Sequence, residues 1–181
     1  MSSASAAFEK LADFYARCRQ HARELPSKQD VVRYWSGIGF VLEGVRYVAP
    51  LEQVSEILSV PGYTRVPGVM SWVKGVANVR GRLMTVMDLT GFLEKTTALQ
   101  ERRRRLLVLD QGELYTGMVV DEVLGMQHFP EDGFLSEVAE LDPAVAPYTR
   151  GAFRRADGDW PVFSLFRLAE DPKFLQVART G

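Results

Sequence analysis

The first segment of the chain carries a helical pattern of apolar positions. They recur at spacings of three and four residues: Phe8, Leu11, Tyr15, Cys18, Ala22 and Leu25. This spacing places them on one helix face, with polar residues such as Glu9 and Arg17 off it. Pro26 disfavours helical backbone at the residue before it. The pattern predicts an amphipathic helix over about residues 5–25. Its apolar face is expected to pack on its own domain; the less favoured alternative is a partner helix.

From Tyr34 onward the apolar period changes from helical to strand-like. Two short runs alternate between apolar and outward positions: Ile38, Phe40 and Leu42, then Val45, Tyr47 and Ala49. The turn-forming pair Glu43-Gly44 separates them. Alternation on both sides of such a pair predicts a β-hairpin, and strand-like patterns dominate the rest of the chain.

Three sequence blocks recur in the same order. "FVLEGVRY" at 40–47 returns as "LVLDQGELY" at 107–115, and "VSEIL" at 54–58 returns as "VDEVL" at 120–124. "KGVANVRGRLMTVMDL" has a looser echo in "RGAFRRADGDWPVFSL", which aligns Gly75 with Gly151 and Gly81 with Gly158. This order indicates an internal duplication, with an insertion in the second copy near Pro130–Pro143.

The duplication leads to a fold class. Each copy holds about five short strands in about 60 residues, which suits a small barrel because closure removes exposed strand edges. We therefore predict a mainly β domain over 34–181, after a helical extension over 1–33. Its first barrel would span about 36–100 and its second about 101–168, and the pattern leaves open whether the barrels exchange strands. Short helices are expected at Phe92 and Leu93 and in the tail Leu165–Val177.

Composition narrows the possible functions. The chain has 22 basic and 23 acidic residues, so no overall field attracts nucleic acid or an anionic membrane. Its hydrophobic content of 46% supports a packed core. With one cysteine it can form no internal disulfide, which agrees with a cytoplasmic location. No apolar run reaches the length of a membrane span, so direct membrane insertion is not expected.

Few residues suit catalysis or ligand binding. The only histidines are His21 and His128, and no G-x-S-x-G nucleophile turn occurs. Cys18 and His21 could touch one metal, but a structural zinc site needs four ligands. No phosphate-binding glycine motif is present. We predict no catalytic residues, no metal and no cofactor.

The remaining charged residues have structural or docking interpretations. Asp121 and Glu122 are adjacent on a strand and face opposite sides, so they cannot act together on one atom. Asp88 precedes "LTGFL" and is well placed to cap a short helix. The basic run "ERRRR" at 101–105 favours a solvated face or a partner contact over phosphate binding.

These segments resemble the CheW family. "GVANVRGRLMTVMDL" resembles its G-V-I-N-L-R-G-x-x-x-P-V-x-D-L signature, "TGMVVDEVLGM" its G-x-x-V-D-x-V segment, and "GVRYVAPLEQVSEIL" its opening strand and V-x-E-I. Together they cover about Gly37 to Leu168. The resemblance implies two five-stranded SH3-like barrels around a shared apolar centre, and a coupling protein without catalytic activity.

The resemblance also implies partners. Family members join the cytoplasmic tip of a methyl-accepting chemoreceptor to the regulatory domain of a chemotaxis-type histidine kinase, in the cytoplasm at membrane-associated receptor arrays. The inter-barrel groove would take the receptor tip, and barrel ends would pair with the kinase. Matching positions give the expected docking residues: Val54, Glu56, Ile57, Gly75, Asn78, Arg80, Gly81 and Val123. Arg80 is predicted to pair with Glu56 and so fix the shape of the groove wall.

Some positions depart from the family pattern. Thr85 stands where proline is usual, and Ser164 stands where aspartate is frequent, so the end of the second hairpin is expected to differ. The N-terminal arm and the ending "SLFRLAEDPKFLQVA" are more similar to CheW-like members of type IV pilus twitching-motility systems. Two alternatives stay open: a small-molecule sensor or enzyme that uses the groove, and a regulatory domain that binds only a kinase.

Overall fold

The protein divides into two units in its computed structural model. The structure describes residues 3–21, 33–97, 100, 103–138 and 140–178 of the 181-residue chain. One unit is Met1–Val32 and the other is Arg33–Gly181. In the first unit, helix α1 spans Ser3–His21. The predicted amphipathic helix is therefore confirmed up to residue 21, whereas residues 22–25 and Pro26 lie outside the described part.

The second unit is mainly β. Its strands are β1 (Tyr34–Leu42), β2 (Val45–Pro50), β3 (Glu56–Ser59), β4 (Val73–Val79), β5 (Arg82–Asp88), β6 (Arg105–Gln111), β7 (Leu114–Val120), β8 (Glu122–Pro130), β9 (Phe134–Leu135), β10 (Thr149–Arg155) and β11 (Gly158–Phe163). Short helices α2 (Leu89–Phe92), α3 (Leu165–Glu170) and α4 (Pro172–Leu175) follow strand ends and form the tail, as predicted.

The strands form two mixed sheets that exchange elements between the sequence copies. The first sheet has six strands in the order β8-β1-β2-β11-β10-β9, and the second has five in the order β3-β6-β7-β5-β4. The opening hairpin β1–β2 of the first copy thus lies with later strands of the second copy. Conversely, β6–β7 lies with β3, β4 and β5 of the first copy. The predicted mainly β fold with two β units is confirmed.

Short connections bring the ends of each sheet together. In the first sheet, edge strand β8 passes directly into the opposite edge strand β9 through the turn Glu131–Gly133. In the second sheet, Thr64 follows β3 and pairs with Val76 of β4 through backbone hydrogen bonds of 2.8 and 2.9 Å. These links limit the unpaired backbone that each sheet exposes.

The described residues of the domain form three apolar clusters. The cluster of the second sheet is aliphatic: Ala77, Met84, Val86, Leu106, Val108 and Val119. The cluster of the first sheet is mostly aromatic: Val48, Phe129, Phe153, Trp160 and Val162. A third and larger cluster draws on both sheets and the short helices, and it contains Phe40, Tyr47, Leu107, Leu109, Met118, Phe163 and Phe174. Strand β6 contributes to two clusters, which explains why it is apolar on both faces.

A glycine occupies the same irregular position in the two long hairpins. The register of β4 with β5 shifts between Val73 and Gly75, and that of β10 with β11 shifts between Thr149 and Ala152. A Cβ atom on Gly75 would lie 2.1 Å from the carbonyl oxygen of Thr64, and one on Gly151 would lie 2.4 Å from that of Leu135. Both bulges therefore require glycine.

Each long hairpin also ends in a capped helix. The Gly91 amide donates to Asp88 Oδ1 at 3.4 Å, and the Arg167 amide donates to Ser164 Oγ at 3.3 Å. The predicted Asp88 cap is confirmed. Ser164, at the position where the family often has aspartate, supplies an equivalent capping bond, so the prediction that the second hairpin ends differently is wrong for this bond.

The prediction of a solvated or partner-facing basic run is wrong for Arg104. Its side chain is buried, with Nη2 2.7 Å from Asp88 Oδ1 and Nε 3.3 Å from Asp121 Oδ1. Asp88 is the last residue of β5 and is half-buried, whereas Asp121 directly follows β7 and is buried. Two carboxylates so withdrawn from water need a cation. Arg103 is exposed, whereas Glu101 and Arg102 lie outside the described residues.

Candidate docking surface

Strand β3 presents alternating side chains at one end of the second sheet. Leu58 packs against the aliphatic cluster of that sheet. Ile57, one residue earlier, is exposed, as alternation along a strand requires. Glu56 is half-buried. The side chains of Ile57 and Glu56 therefore leave opposite faces of β3, the first exposed and the second half-buried.

The tip of the hairpin β4–β5 has a fixed conformation. Its two loop residues, Arg80 and Gly81, have φ angles of +51° and +84°. Positive φ at both positions is typical of a type I′ turn, whose twist matches that of the flanking strands. The Gly81 amide donates to Asn78 Oδ1 at 2.9 Å. This turn determines the direction in which the Arg80 side chain leaves the backbone.

The predicted pairing of Arg80 with Glu56 is confirmed. Arg80 Nη1 donates to Glu56 Oε1 at 2.7 Å, and the two side chains are 73% and 30% exposed. Such an exposed pair contributes only about 0–1 kcal/mol to the free energy of unfolding. Its effect is to fix the position of the hairpin tip. The pair joins β3, at one end of the strand order, to the tip that connects β5 with β4, at the other end.

A second ion pair beside the turn was not predicted. Arg82 donates to Asp110 through Nη1 at 2.6 Å and Nη2 at 3.2 Å, and its guanidinium lies 4.0 Å from the centre of the Tyr115 ring. The hydrogen bond from Arg82 lowers the pKa of the Asp110 carboxyl, and the same bond raises the pKa of Arg82. This pair holds the start of β5 against β6 and β7.

Leu83 is an exposed apolar residue that the sequence analysis missed. It is 73% exposed and lies opposite Asn78 in the β4–β5 register. The signal was available, since Met84 and Val86 face the interior and alternation points Leu83 outward. We define the hairpin-tip surface as Asn78, Arg80, Gly81 and Leu83, joined to Glu56 through the ion pair.

The other predicted docking residues occupy different places. Gly75 is buried at the β4 bulge, where its lack of a side chain is structural. Val54 and Val123 are half-buried and pack at the edge of the large shared cluster. The structure thus brings Glu56, Asn78, Arg80 and Gly81 together, with Ile57 next to Glu56 on β3.

The described residues contain little that suits catalysis. Ser36 Oγ lies 2.7 Å from His128 Nδ1, a contact between residues directly opposite in the β1–β8 register. No carboxylate in the described part of the chain hydrogen-bonds to that ring, so the pair lacks the third member of a hydrolytic triad. The described ranges contain no group of three potential metal-binding side chains. They also contain no helix long and apolar enough to cross a membrane.

Comparison with known proteins places the chain in a family. Residues 36–173 match the family described as CheW-like domain. Protein PilI from Pseudomonas aeruginosa is 47% identical over 178 residues, covering 98% of this chain and 99% of that protein. Protein FrzA from Myxococcus xanthus is 33% identical over 77% of this chain and 84% of its own length. The crystal structure of the scaffolding protein TtCheW from Thermoanaerobacter tengcongensis aligns with 75% of this chain and 93% of the TtCheW chain, with a TM-score of 0.64. At 19% sequence identity, this similarity shows the fold.

Proposed function

The chain belongs to the CheW-like domain family, and we propose that it is a non-catalytic adaptor between a chemoreceptor and a histidine kinase. It binds the cytoplasmic tip of a methyl-accepting chemoreceptor and the regulatory domain of a chemotaxis-type kinase. The similarity to PilI over nearly the whole chain supports a role in the control of type IV pilus twitching motility. Its place would be in the cytoplasm, recruited to membrane-associated receptor arrays.

The observation that carries this proposal is the ion pair between Arg80 and Glu56. It holds two separate segments in one arrangement and leaves Ile57 and Leu83 exposed nearby in the chain. Exposed apolar side chains with fixed charges at their rim are typical of protein-binding surfaces, where the apolar groups provide affinity and the charges set the register. We assign the receptor tip to this surface.

The proposal is tested by pulldown with separate receptor-tip and kinase regulatory fragments. Arg80→Glu should place two like charges together, displace the β4–β5 tip from β3 and reduce receptor capture. The melting temperature should hardly change, because the exposed pair contributes so little to stability. The double variant Arg80→Glu with Glu56→Arg restores opposite charges and should recover part of the binding. Loss of folding in Arg80→Glu, with no effect of the swap, would give the pair a structural role only.

Ile57, which is exposed on the face of β3 opposite Glu56, provides an independent measurement. Ile57→Asp places a charge where we expect an apolar contact with the receptor tip, and its exposure makes a folding defect small. Unchanged receptor capture would remove Ile57 from the site. Capture of the kinase fragment by the wild-type chain without any capture of the receptor tip would instead support the alternative of a kinase-only regulatory domain.

A further inference from the structure

A cavity of about 370 Å³ opens at the first sheet, and three aromatic side chains form part of its wall. The Trp35 ring of β1 stacks on the Phe153 ring of β10, with 4.8 Å between the ring centres. Phe134 of β9 meets the same Phe153 ring edge-on at 5.2 Å, and it is 43% exposed. Small-molecule sites have volumes of about 300–1,000 Å³ and combine a mostly apolar wall with a few polar groups. The cavity has the size and the wall of such a site.

Charged side chains of both signs also line this cavity. Arg150 belongs to β10, whereas Glu52 lies two residues after β2 and Glu131 directly follows β8. All three residues are exposed. Among the described residues, none of these three side chains forms an ion pair or a hydrogen bond, either with each other or with a neighbour. Their charged groups are therefore available to a ligand.

The two signs limit the chemistry of that ligand. A simple cation would attract the glutamates but would be repelled by Arg150, and a simple anion would meet the reverse arrangement. A molecule with both an ammonium and a carboxylate group pairs with both kinds of side chain through charge-assisted hydrogen bonds. The rest of the molecule faces the aromatic wall, where another aromatic ring fits well because such rings prefer stacked or edge-on contacts.

The two sequence copies differ at the aromatic wall. Aligning Gly151 with Gly75 places Phe153 opposite Ala77, which lies in the aliphatic cluster of the second sheet. Both hairpins have the same irregular register at this point, so the fold accepts an alanine in place of the ring. Arg150 aligns with Lys74, so the positive charge is common to both copies. The wall is a feature of the second copy alone, and the shared fold does not explain it.

We propose that this cavity binds a free α-amino acid with an aromatic side chain. The aromatic ring of the ligand lies among Trp35, Phe134 and Phe153. Its carboxylate pairs with Arg150, and its ammonium group pairs with the glutamates that line the cavity. The ligand thereby joins β1 and β10 to the segments that follow β2 and β8. This inference is independent of the proposed adaptor role.

The test titrates the full chain with L-phenylalanine, up to millimolar concentration, and follows the amide and indole signals by NMR. Signals of Trp35, Phe134 and Gly151 should shift along one saturable binding curve. Phenethylamine lacks the carboxylate and N-acetyl-L-phenylalanine lacks the ammonium charge. Each should bind at least about tenfold more weakly, because one charge-assisted pair is lost. The melting temperature should rise with L-phenylalanine, since the ligand binds only the folded chain.

Variants of two arginines on the same strand connect the binding to the cavity. Arg150→Met should weaken L-phenylalanine binding by at least about tenfold. It should not weaken phenethylamine binding, because that molecule has no carboxylate for Arg150 to pair with. Arg154→Met removes an exposed arginine of β10 that does not line the cavity, and it should leave both affinities unchanged. Thermal melting checks that each variant folds.

Four results would overturn the proposal. Absence of saturable shifts at the cavity, or shifts confined to another part of the domain, would show that L-phenylalanine is not bound there. Phenethylamine binding as tightly as L-phenylalanine would assign the cavity to an organic cation. Equal affinity for all three molecules would make it an apolar cavity without selection by charge. Unchanged L-phenylalanine binding in Arg150→Met would remove Arg150 from the site.

Discussion

The two long hairpins, β4–β5 and β10–β11, are equivalent elements of the duplicated sequence, and they agree in the features that build the fold. Each has a glycine bulge in its first strand. In each, the second strand pairs in parallel with a strand of an exchanged hairpin, β5 with β7 and β11 with β2. Each ends in a side-chain cap on a short helix, from Asp88 or from Ser164. Features that survive in both copies are explained by structure alone.

The hairpins differ at their tips and at their caps. The first tip carries Arg80 in a left-handed backbone conformation and holds Glu56, and the exposed Leu83 follows it. In the second hairpin, Gly158 occupies the position that aligns with Gly81, and Ala156 and Asp157 form the turn. The first cap, Asp88, also binds buried Arg104, whereas Ser164 carries no charge. One copy thus serves as an internal control for the other. A difference between the copies marks a position where function, or the need to neutralise a nearby charge, determines the residue.

The largest effect is expected at the buried charge that exists beside one hairpin only. Arg104→Met removes the cation from the half-buried Asp88 carboxylate and the buried Asp121 carboxylate. The free energy of unfolding should fall by about 3–5 kcal/mol, as when one partner of a buried ion pair is lost. Chemical denaturation measures this change. Arg103→Met, at the exposed neighbour, should stay within about 0.5 kcal/mol of wild type, and similar losses in both variants would contradict a specific role for Arg104.

The next largest effect should be shared by the two hairpins. Gly75→Ala and Gly151→Ala each place a Cβ atom within 2.4 Å of a backbone carbonyl oxygen, which only a backbone shift relieves. We expect each to lower the free energy of unfolding by about 2–4 kcal/mol. Gly62→Ala, where a Cβ would meet open space, is the control. A loss in only one hairpin would break the equivalence of the two bulges.

A smaller effect separates helix capping from charge neutralisation. Ser164→Ala removes only the cap of α3 and should cost about 1 kcal/mol in denaturation experiments. Asp88→Ser keeps a capping hydroxyl but removes the carboxylate that accepts two hydrogen bonds from Arg104, at 3.0 and 2.7 Å, so it should cost clearly more. Equal losses would show that Asp88, like Ser164, matters as a cap alone.

Much of this architecture is readable from the sequence, because local patterns encode it. The 3.6-residue period predicted α1, strand alternation predicted the hairpins, and the recurring blocks predicted the duplication. Exchange between the copies was not readable, since β2 and β7 have similar patterns and either could accept β5 or β11. Arg104 was missed because its environment comes from Asp88 at the end of β5 and Asp121 just after β7, which meet only in the folded domain. A run of arginines, taken alone, indicates side chains that are exposed to solvent.

The sequence predicted some residues of the docking surface and missed others. Arg80 and Glu56 came from resemblance to a family signature, and the structure then brought their side chains into contact. Leu83 was readable from the alternation of β5 but was overlooked beside the more conspicuous Arg80. Gly75 lies in the same family signature as Arg80. Its close approach to the Thr64 carbonyl, however, is a backbone requirement that the spacing of residues in the sequence does not predict.

The smallest effect on stability, and the sharpest test of the comparison, is expected from Arg80→Gly. Glycine adopts the positive φ of this turn without the strain of about 1 kcal/mol that a larger residue carries. That relief offsets the lost ion pair and the greater freedom of the unfolded chain, so the free energy of unfolding should stay within about 1 kcal/mol of wild type. Receptor-tip capture should nevertheless fall, because Glu56 no longer holds the tip.

The β1–β2 turn provides a matched control for that variant. Glu43 and Gly44 have φ angles of +50° and +77°, nearly those of Arg80 and Gly81, and Glu43 also forms one ion pair, with Lys95 at 3.2 Å. Glu43→Gly therefore changes the same backbone conformation and removes a comparable interaction at a place without a proposed partner. Glu43→Gly should change the free energy of unfolding by about as much as Arg80→Gly does, and it should leave receptor-tip capture unchanged. Equal binding by the two variants would mean that Arg80, like its counterpart residues in the second hairpin, only completes a turn.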